Sequence, residues 1–271
     1  MINQTAKKIL KALSFDGVEV EAFRHMADLK RLDPMKIFYK KVDEKIYNGS
    51  HAVPIRIFFP SEKSFREIEE KKHDIQDKKL LLFIHGGGWV TESIDNYERI
   101  CARLASATEH IVVSVEYRLA PEHPFPTGFM DCYAVAKAIY TNRFILNVNP
   151  QRITLIGDSA GGNLAAAVSL KARDDGIFKP QRQILIYPAV NNDYSDTSRF
   201  QSVKDCGSDY LLTAGKMCDY IGFYAAREED KKNKYFAPLM ETDYRNQPDT
   251  LILTAEFDPL RDEGEEYGKR L

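Results

Sequence analysis

The sequence lacks the features that mark membrane, nucleic-acid-binding or disulfide-rich proteins. No run approaches the roughly 18 apolar residues of a membrane span, and the N-terminus has no apolar signal core. A net charge of -2 provides no basic surface for nucleic acid or an anionic membrane. The widely spaced cysteines include no CxxC pair and are expected to be reduced, mostly packing residues: Cys101, Cys132, Cys206 and Cys218. These absences predict a cytoplasmic protein without a membrane span or a nucleic-acid partner.

Metal-ligand clusters, phosphate-binding glycine loops and internal repeats are also missing from the sequence. We therefore expect neither a metal nor a cofactor. What the chain has is length and apolar content: 271 residues, 44% of them hydrophobic, can bury one sizeable core. A single α/β domain of this size is ordinary.

Apolar runs of strand length alternate with helical patterns along most of the chain. This order predicts an α/β fold, with a mostly parallel twisted sheet and helices on both faces. A hairpin through Asn48-Gly49 opens the series, and the charged stretch 60–79 is expected to be a solvated loop or a short helix. The expected strands are 42–47, 55–59, 80–84, 111–116, 153–156, 183–186 and 250–254, and the expected helices are 93–108, 127–141 and 160–174.

Two regions interrupt this alternation. Residues 5–40 place apolar side chains at helical spacing, among them Phe23 and Leu32, with Asp33-Pro34 as a breaker, which predicts a pair of packing helices. Residues 190–245 hold a polar stretch and then an aromatic-rich helix at 213–227.

The most informative motif is Gly157-Asp-Ser-Ala-Gly161, which follows an apolar strand and precedes an Ala-rich helical run. Strand, sharp turn and helix in this order are the context of a nucleophile elbow, which lifts a serine clear of the backbone at a helix N-terminus. Ser159 is then a candidate nucleophile. The alternative is a glycine-rich connection in which Ser159 only caps the helix.

A second motif, His85-Gly-Gly-Gly-Trp89, ends the apolar run 80–84. Three consecutive glycines lower the stability of an ordered segment, at roughly 0.5–1 kcal/mol each relative to alanine. They are retained where bare backbone N–H groups must face a ligand. A loop of this type forms the oxyanion hole of lipases and esterases with an α/β-hydrolase fold. The alternative is a flexible glycine hinge.

With both motifs in hand, the chain resembles the hormone-sensitive-lipase-like (family IV) esterases of the α/β-hydrolase fold. YRLAPEHPFP at 117–126, Tyr187-Pro188 after a strand, and EFDPLRDEG at 256–264 are similar to further motifs of that family, in the same order over about residues 40–271. The resemblance implies N-terminal cap helices in residues 1–40 and a hydrolase core in 41–271, with a cap insertion at about 190–245. It also implies roles for individual residues. Ser159 would be the nucleophile and Asp258 the acid, and the N–H groups of Gly87, Gly88 and Ala160 would form the oxyanion hole. His85, Gly86 and Asp158 would support these motifs.

The catalytic base is missing from this pattern. Triad order in this fold is serine, acid, histidine, yet no histidine follows Asp258; the six are His25, His51, His73, His85, His110 and His123. His85 is expected to position the glycine loop, His123 to make structural hydrogen bonds, and the others to lie at the surface. We therefore expect a C-terminally truncated hydrolase in which the final strand and last helix of the fold are absent.

The leading interpretation is a serine carboxylesterase or lipase-like enzyme that acts on small esters with short acyl groups and is impaired without its histidine. The alternatives are a non-catalytic ligand-binding homologue and an amidase or deacetylase on the same scaffold. A strand at 250–254 without a neighbour would present unpaired N–H and C=O groups. Pairing of that edge in a homodimer, or poor solubility, is the expected consequence.

Overall fold

The computed structural model of this chain describes residues 4–14, 16–29, 40–71 and 73–271. Its strands alternate with helices through most of this length. The strands are β1 (Lys41–Asn48), β2 (His51–Phe58), β3 (Asp74–Ile75), β4 (Leu80–Ile84), β5 (Ile111–Val115), β6 (Asn147–Val148), β7 (Ile153–Asp158), β8 (Arg182–Ile186) and β9 (Asp249–Leu253). The helices are α1 (Gln4–Leu13), α2 (Val20–Leu29), α3 (Glu62–Glu70), α4 (Glu98–Thr108), α5 (Thr127–Tyr140), α6 (Ala160–Asp175), α7 (Gln201–Cys206), α8 (Ala214–Tyr224) and α9 (Arg261–Arg270).

The main sheet within these ranges has seven strands in the order β1-β2-β5-β4-β7-β8-β9. Strands β5, β4, β7, β8 and β9 run parallel, while β2 pairs antiparallel with both β1 and β5. The mostly parallel sheet is thereby confirmed. The opening hairpin is confirmed as well, although β2 begins at His51 rather than 55. Asn48 pairs with His51, so Gly49 and Ser50 form the turn, with φ 61° at Gly49.

Helices cover both faces of the sheet, as expected. On one face, Leu81 and Phe83 of β4 pack in a cluster with Cys101 and Ala105 of α4. On the other, the alternate β4 residues, such as Leu82, belong to the larger core that contains buried residues of α5 and α6. Because side chains of a strand point alternately to opposite faces, a wholly apolar run such as β4 can supply both layers.

Helix α6 lies at the centre of the larger layer, against β4, β7 and β8. Its small side chains Ala165, Ala166 and Ala167 are fully buried, which lets the helix approach the sheet closely. Alanine also has the highest intrinsic helix propensity. The helix ends at Gly176, which takes the left-handed conformation with φ 63° that favours glycine at this position.

The remaining helices differ from the sequence expectations mainly at their ends. The pair predicted in residues 5–40 is present as α1 and α2 as far as residue 29; Leu32 and Asp33-Pro34 lie outside the described residues. Helix α4 begins at Glu98 rather than 93, because residues 94–97 form turns in which Ile94 N–H donates to the Glu116 carboxylate over 2.6 Å. No helix within the described ranges is long and apolar enough to cross a bilayer.

Candidate active site

Ser159 lies at a sharp turn between β7 and α6. Its backbone angles, φ 53° and ψ −119°, are unfavourable for a residue with a side chain, so the surrounding structure must hold them. Ser159 N–H donates to Ile186 O over 2.9 Å, and Ser159 O accepts the N–H groups of Asn163 (3.1 Å) and Ala189 (3.2 Å). The end of β8 and the segment after it therefore hold the turn from one side.

Gly161 brings the start of α6 against the end of β4. A Cβ atom at Gly161 would collide with the carbonyl oxygens of Ile84 and His85. Because β4 and β7 are parallel and Ile84 pairs with Gly157, the glycine loop and Ser159 both follow the carboxyl ends of neighbouring strands. The two motifs thus lie at the same end of the sheet.

The glycine loop has three consecutive residues with positive φ: Gly87 (103°), Gly88 (60°) and Trp89 (61°). A Cβ at Gly87 would contact Thr91 O, so this conformation requires glycine. Val90 and Thr91 both donate their N–H groups to Gly87 O, over 3.1 and 2.9 Å. The N–H groups of Gly87 and Gly88 make no hydrogen bond within the described residues. These two donors are available to a ligand.

Asp158 links the turn to the glycine loop. One carboxylate oxygen accepts Gly86 N–H over 3.0 Å, and the other accepts the Tyr97 hydroxyl over 2.7 Å. Burial raises the pKa of Asp158 to about 6, although both hydrogen bonds act in the opposite direction. The side chain next to Ser159 is therefore a structural tie between the two loops.

His85 is buried and fixed. Its Nδ1 bonds Gly86 O at 2.8 Å, and its ring stacks on Tyr117 with 4.4 Å between centroids. Tyr117 in turn donates its hydroxyl to His85 O over 2.9 Å. Burial lowers the pKa of His85 to about 4, so the ring is neutral near pH 7. In the described part of the chain, no side chain hydrogen-bonds to Ser159 Oγ.

Asp258 lies between β9 and α9, after the carboxyl end of the last strand, so it shares an end of the sheet with Ser159. Its carboxylate accepts Leu260 N–H over 2.9 Å, and burial raises its pKa. Tyr187 lies between the two regions: its N–H donates to Leu253 O over 2.6 Å. Burial raises the pKa of Tyr187, and the charges of Asp158 and Asp258 add to that shift.

Three supporting residues had no role in the sequence prediction. Asn163 donates from its side chain to Ala189 O (2.7 Å) and Phe236 O (2.8 Å), below the turn. Tyr220 of α8 lies on the glycine loop, where a Cβ at Gly88 would be 2.5 Å from its ring. The only sequence signals were the position of Asn163 directly after GDSAGG and the aromatic content of α8.

Glu263, the third of these residues, is fully buried on α9. One of its carboxylate oxygens accepts Val190 N–H (2.7 Å) and the Tyr194 hydroxyl (2.7 Å). Burial raises its pKa to about 8. These bonds join α9, the helix that follows Asp258, to the segment after β8. Among the described residues, no group of three or more His, Cys, Asp and Glu side chains could hold a metal ion.

Comparison with known proteins agrees with this architecture. Residues 81–271 match the family described as alpha/beta hydrolase fold. The chain therefore belongs to the α/β-hydrolase fold family. Within that family it falls among the hormone-sensitive-lipase-like carboxylic ester hydrolases.

An arylesterase of Saccharolobus solfataricus is 36% identical over 230 residues, which cover 84% of this chain and 70% of the relative. An ethyl acetate hydrolase of Pseudomonas putida is 32% identical over 226 residues, covering 82% of this chain and 66% of that protein, just under two thirds. The structure of a hyperthermophilic esterase from Pyrobaculum calidifontis has a TM-score of 0.81 and 33% identity, covering 99% of this chain and 84% of that one.

Proposed function

We propose that this protein hydrolyses small carboxylic esters with short acyl groups through an acyl-enzyme formed on Ser159. The observation that carries the proposal is the turn at Ser159, which has a φ of 53° at the N-terminus of α6, together with the close contact of Gly161 with the end of β4, where the glycine loop begins. The name of the Pseudomonas putida relative, an ethyl acetate hydrolase, supports the small-ester substrate class.

In the proposed mechanism, Ser159 Oγ attacks the ester carbonyl carbon, and the carbonyl oxygen becomes an oxyanion. That oxyanion accepts hydrogen bonds from the N–H groups of Gly87, Gly88 and Ala160. The Ala160 N–H belongs to the first turn of α6, where helical N–H groups lack internal partners and the helix dipole favours negative charge. Such donors lower the barrier because they are already oriented when the charge develops. The Ser159 hydroxyl proton passes to a solvent water, or to imidazole where it is added. Collapse of the intermediate breaks the bond to the alcohol oxygen, which leaves as the alcohol after taking up a proton. Water then attacks the acyl group on Ser159, which releases the acid and restores the serine hydroxyl.

Asp258 would orient and stabilise a histidine base, but no histidine follows it in this sequence. His85 is unsuited to the role, because its Nδ1 is bonded to Gly86 O and burial lowers its pKa to about 4. We therefore propose that turnover by this chain is impaired. Loss of a base alone reduces turnover by on the order of 10⁶ in a well-studied serine protease, while an oxyanion hole and binding alone retain about 10³–10⁴ over water.

The test compares the chain with Ser159→Ala on p-nitrophenyl acetate and p-nitrophenyl butyrate, with and without added imidazole. We expect slow hydrolysis that depends on Ser159 and rises with imidazole, which can replace the missing base. The Ser159→Ala protein provides the background for hydrolysis by imidazole itself. Equal rates for the two proteins under all conditions would contradict the proposal and favour a ligand-binding role. Fast turnover without imidazole would show that an upstream histidine acts as the base.

We also propose the cytoplasm as the location, because all four cysteines are free thiols and three of them, Cys101, Cys132 and Cys206, are buried. Carbamidomethylation of the native protein after purification without reductant checks whether the four cysteines are free thiols. Cys218, the exposed thiol, should react first, and no disulfide-linked peptide should be found.

A further inference from the structure

Arg24 of α2 reaches the backbone directly after the glycine loop. Its Nε donates to Val90 O over 2.9 Å, and one of its terminal nitrogens donates to Ala120 O over 3.1 Å. Ala120 N–H itself donates to Trp89 O over 2.9 Å. One guanidinium therefore joins the two segments next to the hydrogen bond that connects Ala120 with Trp89.

Glu122 fixes the orientation of this guanidinium. Two hydrogen bonds of 2.8 Å join the Arg24 terminal nitrogens to the two Glu122 oxygens. The hydrogen bond from Arg24 lowers the pKa of Glu122 to about 2. The ion pair is solvent-exposed, with 25% and 51% of the two side chains accessible, so by itself it adds little stability. Its geometric effect is larger, because the planar five-donor fork of arginine is held in one orientation.

The glycine loop needs support of this kind. Its run of positive φ includes Trp89, a bulky residue for which the left-handed region is unfavourable. The Trp89 ring is held by stacking on Tyr224, with 4.5 Å between centroids and 3° between planes. The bond from Ala120 to Trp89 O, together with the Arg24 bonds to Val90 O and Ala120 O, holds the backbone next to Trp89.

The segment before α2 is hydrogen-bonded to α8 and to Thr213, the residue that precedes α8. Val18 N–H donates to the Asp219 carboxylate over 3.0 Å, and Thr213 donates its hydroxyl to Asp16 over 2.7 Å. Tyr220 of the same helix lies against Gly88. The N-terminal segment and α8 thus contact the glycine loop together, one through Arg24 and the other through Tyr220.

We propose that Arg24 is a positioning residue that holds the N–H groups of Gly87 and Gly88 in place, and that the N-terminal helices control the glycine loop through it. The expected effect on catalysis rests on the proposed function, because it assumes that the loop binds the oxyanion. The expected effect on the conformation of the loop does not rest on it. It requires only that the loop loosens when the Arg24 bonds are removed.

Trp89 allows a direct measurement, because it is the single tryptophan of the chain and lies within the loop. Its fluorescence therefore reports on this segment alone. The variants are Arg24→Met, which removes all four bonds; Arg24→Lys, which keeps the charge; and Glu122→Gln, which keeps the carbonyl bonds. Arg66→Met is the matched control, since Arg66 is an exposed arginine of α3 whose one ionic partner among the described residues is Glu62. Emission maximum and acrylamide quenching are measured at a temperature where far-UV circular dichroism shows all five proteins folded.

We expect Arg24→Met to shift the Trp89 emission to the red and raise its quenching constant several-fold. Arg24→Lys should recover part of the change, Glu122→Gln should cause a clearly smaller change than Arg24→Met, and Arg66→Met should leave both values near those of the parent. Trp89 signals that stay unchanged in folded Arg24→Met would overturn the proposal. An equal effect of Glu122→Gln would overturn it too, because the ion pair rather than the carbonyl bonds would then hold the loop.

A kinetic measurement separates this result from the proposed function. Where Ser159-dependent hydrolysis is measurable, Arg24→Met should lower kcat by less than the roughly 100-fold expected for loss of an oxyanion donor. Its KM should stay nearly unchanged. A folded Arg24→Met protein with loosened Trp89 and unchanged kcat would contradict the positioning role. Absence of Ser159-dependent hydrolysis in the parent would contradict the proposed function only, since the fluorescence still tests Arg24.

Discussion

The two sides of the candidate site differ in how firmly the structure holds them. The side with Ser159 and the glycine loop follows β7 and β4, interior strands whose residues are almost all buried. The side with Asp258 follows β9, which within the described residues pairs only with β8 and leaves Leu251 and Leu253 about half exposed, at 52% and 47%.

The bonds around the two sides show the same contrast. Ser159 and the glycine loop are held by Asp158, Asn163, α8 and Arg24, which come from several separate segments of the chain. The Asp258 carboxylate is held by the N–H of Leu260, two residues further on. A serine with an unfavourable positive φ needs support from several segments of the chain, whereas the backbone at Asp258 has no positive φ to be held in place.

The largest expected effect is that of Gly161→Ala on the serine side. A Cβ there collides with two backbone carbonyls that cannot move without breaking the end of β4. We expect a loss of more than about 4 kcal/mol in the free energy of unfolding, the range reserved for severe defects. Urea denaturation followed by circular dichroism measures it. A loss below 1 kcal/mol would mean that α6 is not held so closely to β4.

Glu263→Gln tests the hydrogen bonds by which Glu263 of α9 holds the segment after β8, through the pH dependence of the free energy of unfolding. The folded-state pKa of about 8 lies above the reference value of 4.5 because of burial, to which the charge of Asp258 adds, while the bonds from Tyr194, Val190 and Asn191 oppose it. A carboxyl group with a raised pKa favours folding while protonated. The stability it supports is therefore fully present below pH 4.5 and is lost as pH rises towards 8, by on the order of 1.4 kcal/mol per pH unit at most.

We accordingly expect the parent to lose stability relative to Glu263→Gln between pH 5 and 8, and the difference to become constant above pH 8. Urea denaturation of both proteins at several pH values measures this difference, so the titration of other groups cancels. A stability difference that does not vary with pH in that window would show that Glu263 is already ionised in the folded protein.

A pair of leucine substitutions compares the two strands directly. Leu155 of β7 is fully buried, whereas Leu251 of β9 is half exposed. Leu155→Ala should reduce the free energy of unfolding by about 3 kcal/mol, and Leu251→Ala by about 0.5 kcal/mol or less. Thermal and urea denaturation of both variants check the contrast. Similar losses would indicate that a contact covers Leu251 in solution, and sedimentation would then show whether it is a second copy, as the homodimer prediction requires.

The smallest expected effect is a gain on the acid side. Gly268 lies on α9 with an ordinary backbone conformation, and a Cβ there would be 3.4 Å from Ile252, a normal contact. Gly268→Ala should raise the free energy of unfolding by about 0.5 kcal/mol through its higher helix propensity. The same substitution thus has opposite signs at Gly161 and Gly268. A loss at both positions would show that the acid side is packed as tightly as the serine side.

The sequence by itself determined the sheet, the order of its elements and the places of its two loops. Apolar runs such as 80–84 and 153–156 are local patterns, because a buried parallel strand is apolar throughout. The glycine motifs are local as well, because glycine suits the positive φ of Gly87 and Gly88 and the close approach of Gly161 to β4. The ends of elements were less predictable. The start of α4 depends on a bond from Ile94 to Glu116, 22 residues away in sequence.

Only the tertiary structure decided which residues support the site. Arg24 is 66 residues from Val90 in sequence and 98 from Glu122, and Asn163 is 73 from Phe236. Nothing in an arginine on an amphipathic helix indicates which carbonyl it will reach. The pKa of Glu263 likewise depends on its burial in the folded protein, where its carboxylate lies against the segment after β8 and accepts the N–H of Val190, 73 residues away in sequence. Local sequence specifies the backbone shapes that the chemistry needs, while the bonds that hold those shapes join segments that only folding brings together.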